Sequence, residues 1–528
     1  MIKRAFALLS VAAATAVSSW AQSGTSKNND SVFQSSTNVM PTFSREMRGM
    51  WVTTVFNLDW PSNTTRTTAQ QQQEAIDMLD MCAAMNVNTV CVQVRSQADS
   101  LYSSTIEPWG PMLRGTFGTA PNPLYDPLTY WITQAKARGI QVYAWINPYR
   151  ALSSSTSTTP ANHISKKAGY TDLYPTSATA NSVWIDPSGP GAQQTKDVIN
   201  DVVTRYDIDG VIFDDYFYPY PYNSVDYPDS DAYAAYQGAG GTLSKKEWRI
   251  KNVNDLVQSV NLSIKQIKPH MKFGISPFGI YRSSNGITGD GRPRMPSPVI
   301  GLNAVDELYA DSLKWMQSGW IDFIAPQIYW SIGSTNQPHG TIMNWWVQQN
   351  TAGRHVYVAN AASSVASGSW SVTELVNQIN LARSNAGVTG NIHYRISSVQ
   401  DTATLRNEFT NNTYKEPALI PAYTWIDGVP PLPPLVSLTQ NTGLGTQTIA
   451  WTPFGSEAAN WYTVAYLVGT TWTKRIVPAT TTSILLPLKS SGKALRAFGV
   501  ASVDRAGNSS TWSQRILDPT VIGTSIRD

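Results

Sequence analysis

The chain has 528 residues and a formal net charge of +3; 14% of its residues are charged and 11% aromatic, with 19 Trp and 24 Tyr. So small a charge leaves no electrostatic footprint for a nucleic-acid partner, and the length exceeds one ordinary domain. Abundant aromatics at low charge fit either a large aromatic core or surfaces that stack on the apolar faces of sugar rings.

The N-terminus, MIKRAFALLSVAAATAVSSWAQS, carries Lys3 and Arg4, an apolar run from Ala5 to Val17, and small residues Ser19 and Ala21 before a cut at residue 21. This is the pattern of a secretory signal, too short to span a membrane as a mature helix. The chain is therefore expected to be exported, periplasmic or extracellular, with no transmembrane segment in its mature form. Residues 22–44, rich in Ser, Asn and Thr, read as a flexible leader.

Eight short apolar runs follow: RGMWVTTV, NTVCVQVR, IQVYAWINP, GVIFDDY, KFGISPFG, FIAPQIYW, HVYVANA and NIHYRIS. Helical patterns lie between most of them. In TTAQQQQEAIDMLDMCAAMNV, Ile76, Leu79 and Ala83 share one face, and Thr67 or Thr68 can cap the start. DPLTYWITQAKARG stops on Gly139. Strands apolar almost throughout, alternating with helices, predict parallel β/α units. Eight units suit an α/β fold of the (β/α)8 TIM-barrel type over 45–425, with a doubly wound open sheet as the alternative. The seventh and eighth units have short helical signals. Cys82, on a helical stretch, and Cys91, in the next strand, read as two small buried residues rather than a disulfide. With only these two Cys and five scattered His, no metal site and no cofactor is expected.

GVPPLPPLVSL marks a proline-rich linker, 426–436. Beyond it, over 437–528, TQTIAWTP, WYTVAYLV, TTSILLPL and LRAFGVASVD alternate without helical patterns and predict a small all-β sandwich. NWYTVAYLV and FGVASVDRAGNSS resemble fibronectin type III repeats.

In such a barrel, chemistry gathers at the C-terminal strand ends. The second strand delivers Gln93 and Arg95, then a loop with Asp99, Tyr102, Glu107 and Trp109. The third delivers Asn147, Tyr149 and Arg150, the fourth Asp214, Asp215 and Tyr216, and the sixth Gln327, Tyr329 and Trp330. Alternation sends Asp214 and Tyr216 inward with Ile212, leaving Asp215 at the rim. Two adjacent carboxyls in a partly dry site do not both ionise at ordinary pKa, and glycoside cleavage asks for one protonated and one ionised carboxyl. The same pair could instead cap a turn or hold an arginine. Glu107 is a further candidate proton donor. Arg95 reads as a partner that holds a carboxylate or hydroxyl. Asn147, Tyr149 and Arg150 are either substrate-binding groups or a loop clamp, and Trp60 and Trp109 either stack on sugars or fill the core.

Taken in order, REMRGMWVTTVFNLDWPS, LYSSTIEPWG, YDPLTYWITQAKARGIQVYAWINPYRA, YDIDGVIFDDYFYP, FGISPFGIYR and LYADSLKWMQSGWIDFIAPQIYW resemble the bacterial glycosyl-hydrolase-like family ten. The resemblance implies an exported (β/α)8 glycosidase without a metal cofactor, acting on the polysaccharide strands of cell-wall peptidoglycan. A more distant likeness is to family eighteen chitinases. There Asp214 matches the aspartate nearest the catalytic acid, while Tyr216 stands where that family has its catalytic glutamate, and QIYW keeps only the tyrosine of the sixth-strand motif. The departure leaves Asp215 or Glu107 as proton donor. Hydrolysis of another polysaccharide and non-catalytic glycan binding remain the alternatives.

Overall fold

The computed structural model describes residues 39–518. The signal segment and residues 22–38 of the leader lie outside the described residues. Strands β1 (Met47–Val52), β2 (Thr89–Arg95), β3 (Gln141–Ile146), β4 (Gly210–Phe213), β5 (Lys272–Ile275), β6 (Phe323–Ile324), β7 (His355–Asn360) and β8 (Gly390–His393) pair in parallel, each with the next. Pairing of β8 with β1 closes the barrel. All eight apolar runs thus supply barrel strands. The sixth is cut to two residues because Pro326 has no N–H for the ladder; single bridges from Gln327 to Phe278 and Ala359 continue it.

Helices cover the outside. The first, Thr68–Ala84, starts on a reciprocal capping box in which Thr67 accepts from the Gln70 N–H and the Gln70 side chain accepts in return. Pro127–Lys136 is capped by Asp126, and the chain turns at Gly139 with φ 75° to enter β3. Cys82 and Cys91 are both free and buried. No helix among the described residues is long and apolar enough to cross a membrane.

Inward positions alternate along the strands, so Trp51, Cys91, Tyr143, Trp145, Ile212, Phe323, Tyr357 and Ile392 pack inside the closed sheet. The bulk of Phe323 is accommodated by Gly274 on β5: a Cβ there would fall 2.2 Å from the ring. A Gly274→Ala change should therefore destabilise the fold by about 1–3 kcal/mol, read from denaturant unfolding.

Two features were not anticipated. Between β3 and β4 lies a three-stranded antiparallel sheet built from Arg150–Leu152, Thr171–Pro175 and Asn181–Ile185. The end of the expected flexible leader is also ordered: Ser44–Arg45 pairs in parallel with Ala418–Leu419, and Met40 is buried among Ala465, Leu467 and Ala497 of the tail. Apolar packing against the tail replaces the solvation that the polar composition suggested.

The tail forms two antiparallel sheets, one of Leu435–Asn441, Thr446–Thr452 and Ser483–Pro487, the other centred on Trp461–Val468 and Lys493–Val503. Ile449 and Trp451 of the first sheet share a core with Tyr462, Val464, Phe498 and Val500 of the second. This domain docks on the face formed by the N-terminal strand ends. Arg505 pairs with Asp207 just before β4 at 2.8 Å, and Leu419, Trp461, Val503, Phe43 and Ile476 form an apolar seam. Tyr423 closes the barrel floor, within hydrogen-bond reach of the Tyr357 and Tyr143 hydroxyls.

Candidate active site

At the opposite end, the C-terminal strand ends open on a cavity of about 280 Å³. It is lined by Trp51, Thr53, Val55, Phe56 and Leu58 from β1 and its loop, Gln93 from β2, Trp145 and Arg150 from β3 and its loop, and Asp214, Asp215 and Tyr216 following β4. Gln327, Tyr329 and Tyr394, following β6 and β8, complete the wall. Polar and aromatic groups thus converge from six strands.

Asp214 occupies the next inward position after Ile212 and is 3% exposed. Its Oδ2 accepts from Trp145 Nε1 at 2.9 Å and from Asn147 Nδ2 at 3.3 Å, while its Oδ1 is buried without a hydrogen-bond partner. Burial, then the neighbouring Asp215 charge, push its pKa up from 3.8 to about 7, against the opposing pull of Arg150 and Trp145. Asp215, equally enclosed, also faces the cavity. Burial raises its pKa too, countered by hydrogen bonds from Tyr220 and Gln327 and by the Arg150 charge. The Tyr220 hydroxyl donates to Asp215 Oδ2. The tyrosines that crowd the sequence after the two aspartates thus have work to do: one serves a carboxylate directly, and Tyr216 lies under the Arg150 guanidinium, 4.5 Å from its ring centre. The inserted sheet supports this loop from behind. Trp184 packs on Tyr216, and the Tyr174 and Tyr227 hydroxyls bond to Val225 O and Asp172 across it.

Seven of the residues read from the strand ends line the cavity: Gln93, Arg150, Asp214, Asp215, Tyr216, Gln327 and Tyr329. Asn147 reaches it only through Asp214. Glu107 does not: both of its oxygens are held by Arg95 at 2.7 Å, and both side chains are fully buried. It is the counterion of Arg95 and stands outside the residues that line the cavity. Arg95, expected to hold a carboxylate or hydroxyl, holds that of Glu107 rather than one in the cavity, and its Nη1 donates to the Asn147 and Pro148 carbonyls at 2.7 and 3.3 Å, fixing the residue that reaches Asp214. Tyr149 is wholly buried beneath the loop, because the Asn147 side chain turns the chain there by accepting the Arg150 N–H at 2.9 Å. Trp109 and Trp330 are half-buried packing residues outside the cavity; Trp330 sits edge-on to Phe278 at 5.7 Å. Trp60 is buried edge-on to Trp131.

Sequence reasoning missed Trp51, Thr53, Trp145 and Tyr394. Period-two alternation carried along β1, β3 and β8 finds them, since each follows Met47, Tyr143 or Ile392 on the inward side. Phe56 gave no such signal. It stands at the lip, 60% exposed, with a left-handed φ of 57°. The strain is held by its neighbours: Gln93 Oε1 takes the Thr54 and Val55 N–H groups, and Asn57 Nδ2 donates to the Pro61 and Met112 carbonyls.

A buried, coupled carboxyl pair in a cleft walled by aromatic rings is equipped for proton transfer to a bound sugar. The profile of the family described as Glycosyl hydrolase-like 10 matches residues 46–374. Glycosyl hydrolase YngK of Bacillus subtilis (strain 168) is 35% identical over 405 residues, covering 75% of this chain and 78% of its own. Glycosyl hydrolase DigH of Escherichia coli (strain K12) is 34% identical over 379 residues, covering 67% and 83%. Among solved structures, the PgaB (BpsB) glycoside hydrolase domain from Bordetella bronchiseptica superposes with a TM-score of 0.47 at 13% identity, covering 69% of this chain and 98% of that domain. With the family match spanning the first seven of the eight barrel strands and the curated relatives matching along most of the chain, the chain belongs to the glycosyl hydrolase-like 10 family and is a glycoside hydrolase.

Proposed function

We propose that the protein is an exported hydrolase of N-acetylated cell-wall glycan, with Asp214 as the proton donor and Asp215 as the carboxylate that serves the anomeric carbon. One observation carries this reading: two enclosed carboxyls share the cavity, and the one with an unpartnered oxygen holds its proton to about pH 7. With Oδ2 already accepting from Trp145 and Asn147, the proton resides on Oδ1 and is offered to the leaving oxygen. Asp215, steadied by Tyr220 and Arg150, keeps the lower proton affinity and acts as base or nucleophile. Arg150 and Gln327 orient the sugar, and Tyr216, Tyr329 and Tyr394 offer ring faces. The N-terminal signal pattern supports export, and the tail is read as a fibronectin type III-like module held clear of the cavity.

The pair titrates as a unit, so rate against pH should be bell-shaped. Hydrolysis needs the upper group protonated, so activity falls as pH rises through about 7. It falls again on the acid side as Asp215 takes up its proton. A rate still rising at pH 9 contradicts the assignment of Asp214 as acid. The substrate is tested by incubating the enzyme with peptide-free and peptide-bearing sacculi and weighing the released sugars by mass spectrometry. New reducing ends on N-acetylated saccharides are expected. Release from other purified polysaccharides alone would move the substrate class.

A further inference from the structure

Two buried donors in the cavity wall have no acceptor. Trp51 Nε1 and Gln93 Nε2 are both enclosed and without a hydrogen-bond partner, although their residues are only 2% and 1% exposed. An indole nitrogen can only donate. The Gln93 amide has its orientation decided by the backbone: Oε1 accepts from the Thr54 N–H at 3.0 Å and the Val55 N–H at 2.9 Å. Turned over, its NH2 would face two further donors. The NH2 group is thereby the unpartnered end of a side chain that lines the cavity. The two residues sit on adjacent paired strands, β1 and β2, at inward positions. Beside them the Trp51 and Trp145 rings meet edge to face, 4.7 Å between centres, and give an apolar wall. Buried donors left unmade carry a desolvation cost that a bound acceptor relieves.

We propose that Trp51 and Gln93 form a two-donor subsite that receives the acetamido carbonyl of the sugar at the cleaved bond, its methyl lying against the Trp51–Trp145 pair. This assignment rests on the glycan-hydrolase reading above and names the residues that make it selective for acetylated sugar. A carbonyl oxygen has two lone pairs and no proton, and so satisfies both N–H groups at once. A free 2-amino group, protonated near neutral pH, brings only donors and meets them head on. The subsite therefore rejects de-N-acetylated glycan.

Binding, measured apart from turnover, tests this. Protein carrying Asp215→Asn, which halts hydrolysis, is titrated calorimetrically with the β-1,4-linked tetramers of N-acetylglucosamine and of glucosamine. The acetylated tetramer should bind on the order of 100-fold more tightly, the discrimination expected of a site built to satisfy buried donors. Adding Gln93→Glu keeps the oxygen that takes the Thr54 and Val55 N–H groups and replaces the donor by an acceptor. Adding Trp51→Phe removes the N–H and keeps an aromatic ring. Each should cut the preference by roughly tenfold or more. Equal binding of the two tetramers, binding of neither at millimolar concentration, or an unchanged preference in both variants overturns the subsite. Selective binding by an enzyme whose unmodified form leaves acetylated glycan intact upholds the subsite and overturns the hydrolytic reading instead.

Discussion

Replacing Asp214 by asparagine should abolish hydrolysis and make the protein more stable at neutral and alkaline pH. The rate loss follows from removing the proton donor, roughly 10²–10⁴-fold. The gain in stability follows from the same burial that tunes the group. In the folded chain Asp214 holds its proton to about pH 7, whereas an unfolded aspartate releases it near 3.8. Between those values the folded state binds more protons than the unfolded state. Stability therefore declines as pH rises through that window, by at most about 1.4 kcal/mol per pH unit, and the loss is complete above pH 7. The total is roughly 4 kcal/mol. Asparagine keeps an oxygen for Trp145 and Asn147 and never ionises, so between about pH 4 and 7 its stability should fall less than that of the parent, leaving only the decline due to Asp215, whose pKa is also raised by burial. Urea unfolding at pH 4.5 and pH 8 measures the difference. A variant that loses stability equally at both pH values would show that Asp214 is not buried as described.

Glu107→Gln should do the reverse. It leaves the Arg95 guanidinium wholly enclosed without its counterion, a loss of about 3–5 kcal/mol. Activity, assayed well below the unfolding transition, should decline by less than the loss of a proton-transfer group would cause, because Glu107 acts only through Arg95 and the Asn147 carbonyl. Adding Arg95→Met, which removes the orphaned charge, should recover part of the stability. If Glu107→Gln instead spared the unfolding transition and removed turnover by 10²-fold or more, Glu107 would be a reacting group after all.

The contrast between these two carboxyls marks what a sequence can disclose. Strands buried on both faces write themselves as apolar runs, which is why GVIFDDY and its seven counterparts announce a barrel. Asp214 was legible because alternation points it inward after Ile212; Asp215, which alternation leaves at the rim, is instead enclosed and faces the same cavity. The pairing of Glu107 was not legible, because nothing in SSTIEPWG states that an arginine twelve residues earlier folds back to both of its oxygens. Tyr149 and Arg150 are adjacent, yet a side-chain turn at Asn147 buries one and exposes the other to the cavity. The sheet between β3 and β4 was invisible for another reason. Its strands are three to five residues long and partly polar, too short to show a period. Phe56 owes its place to a backbone conformation that composition does not predict.

Because the β-sheet tail caps the pole where the strands begin, and residues 39 and 40 pack against that same cap, the described chain enters and leaves far from the mouth. Tethering the enzyme to a bead or a surface by either terminus should therefore leave its opening turned outward, free to meet a substrate too large to diffuse.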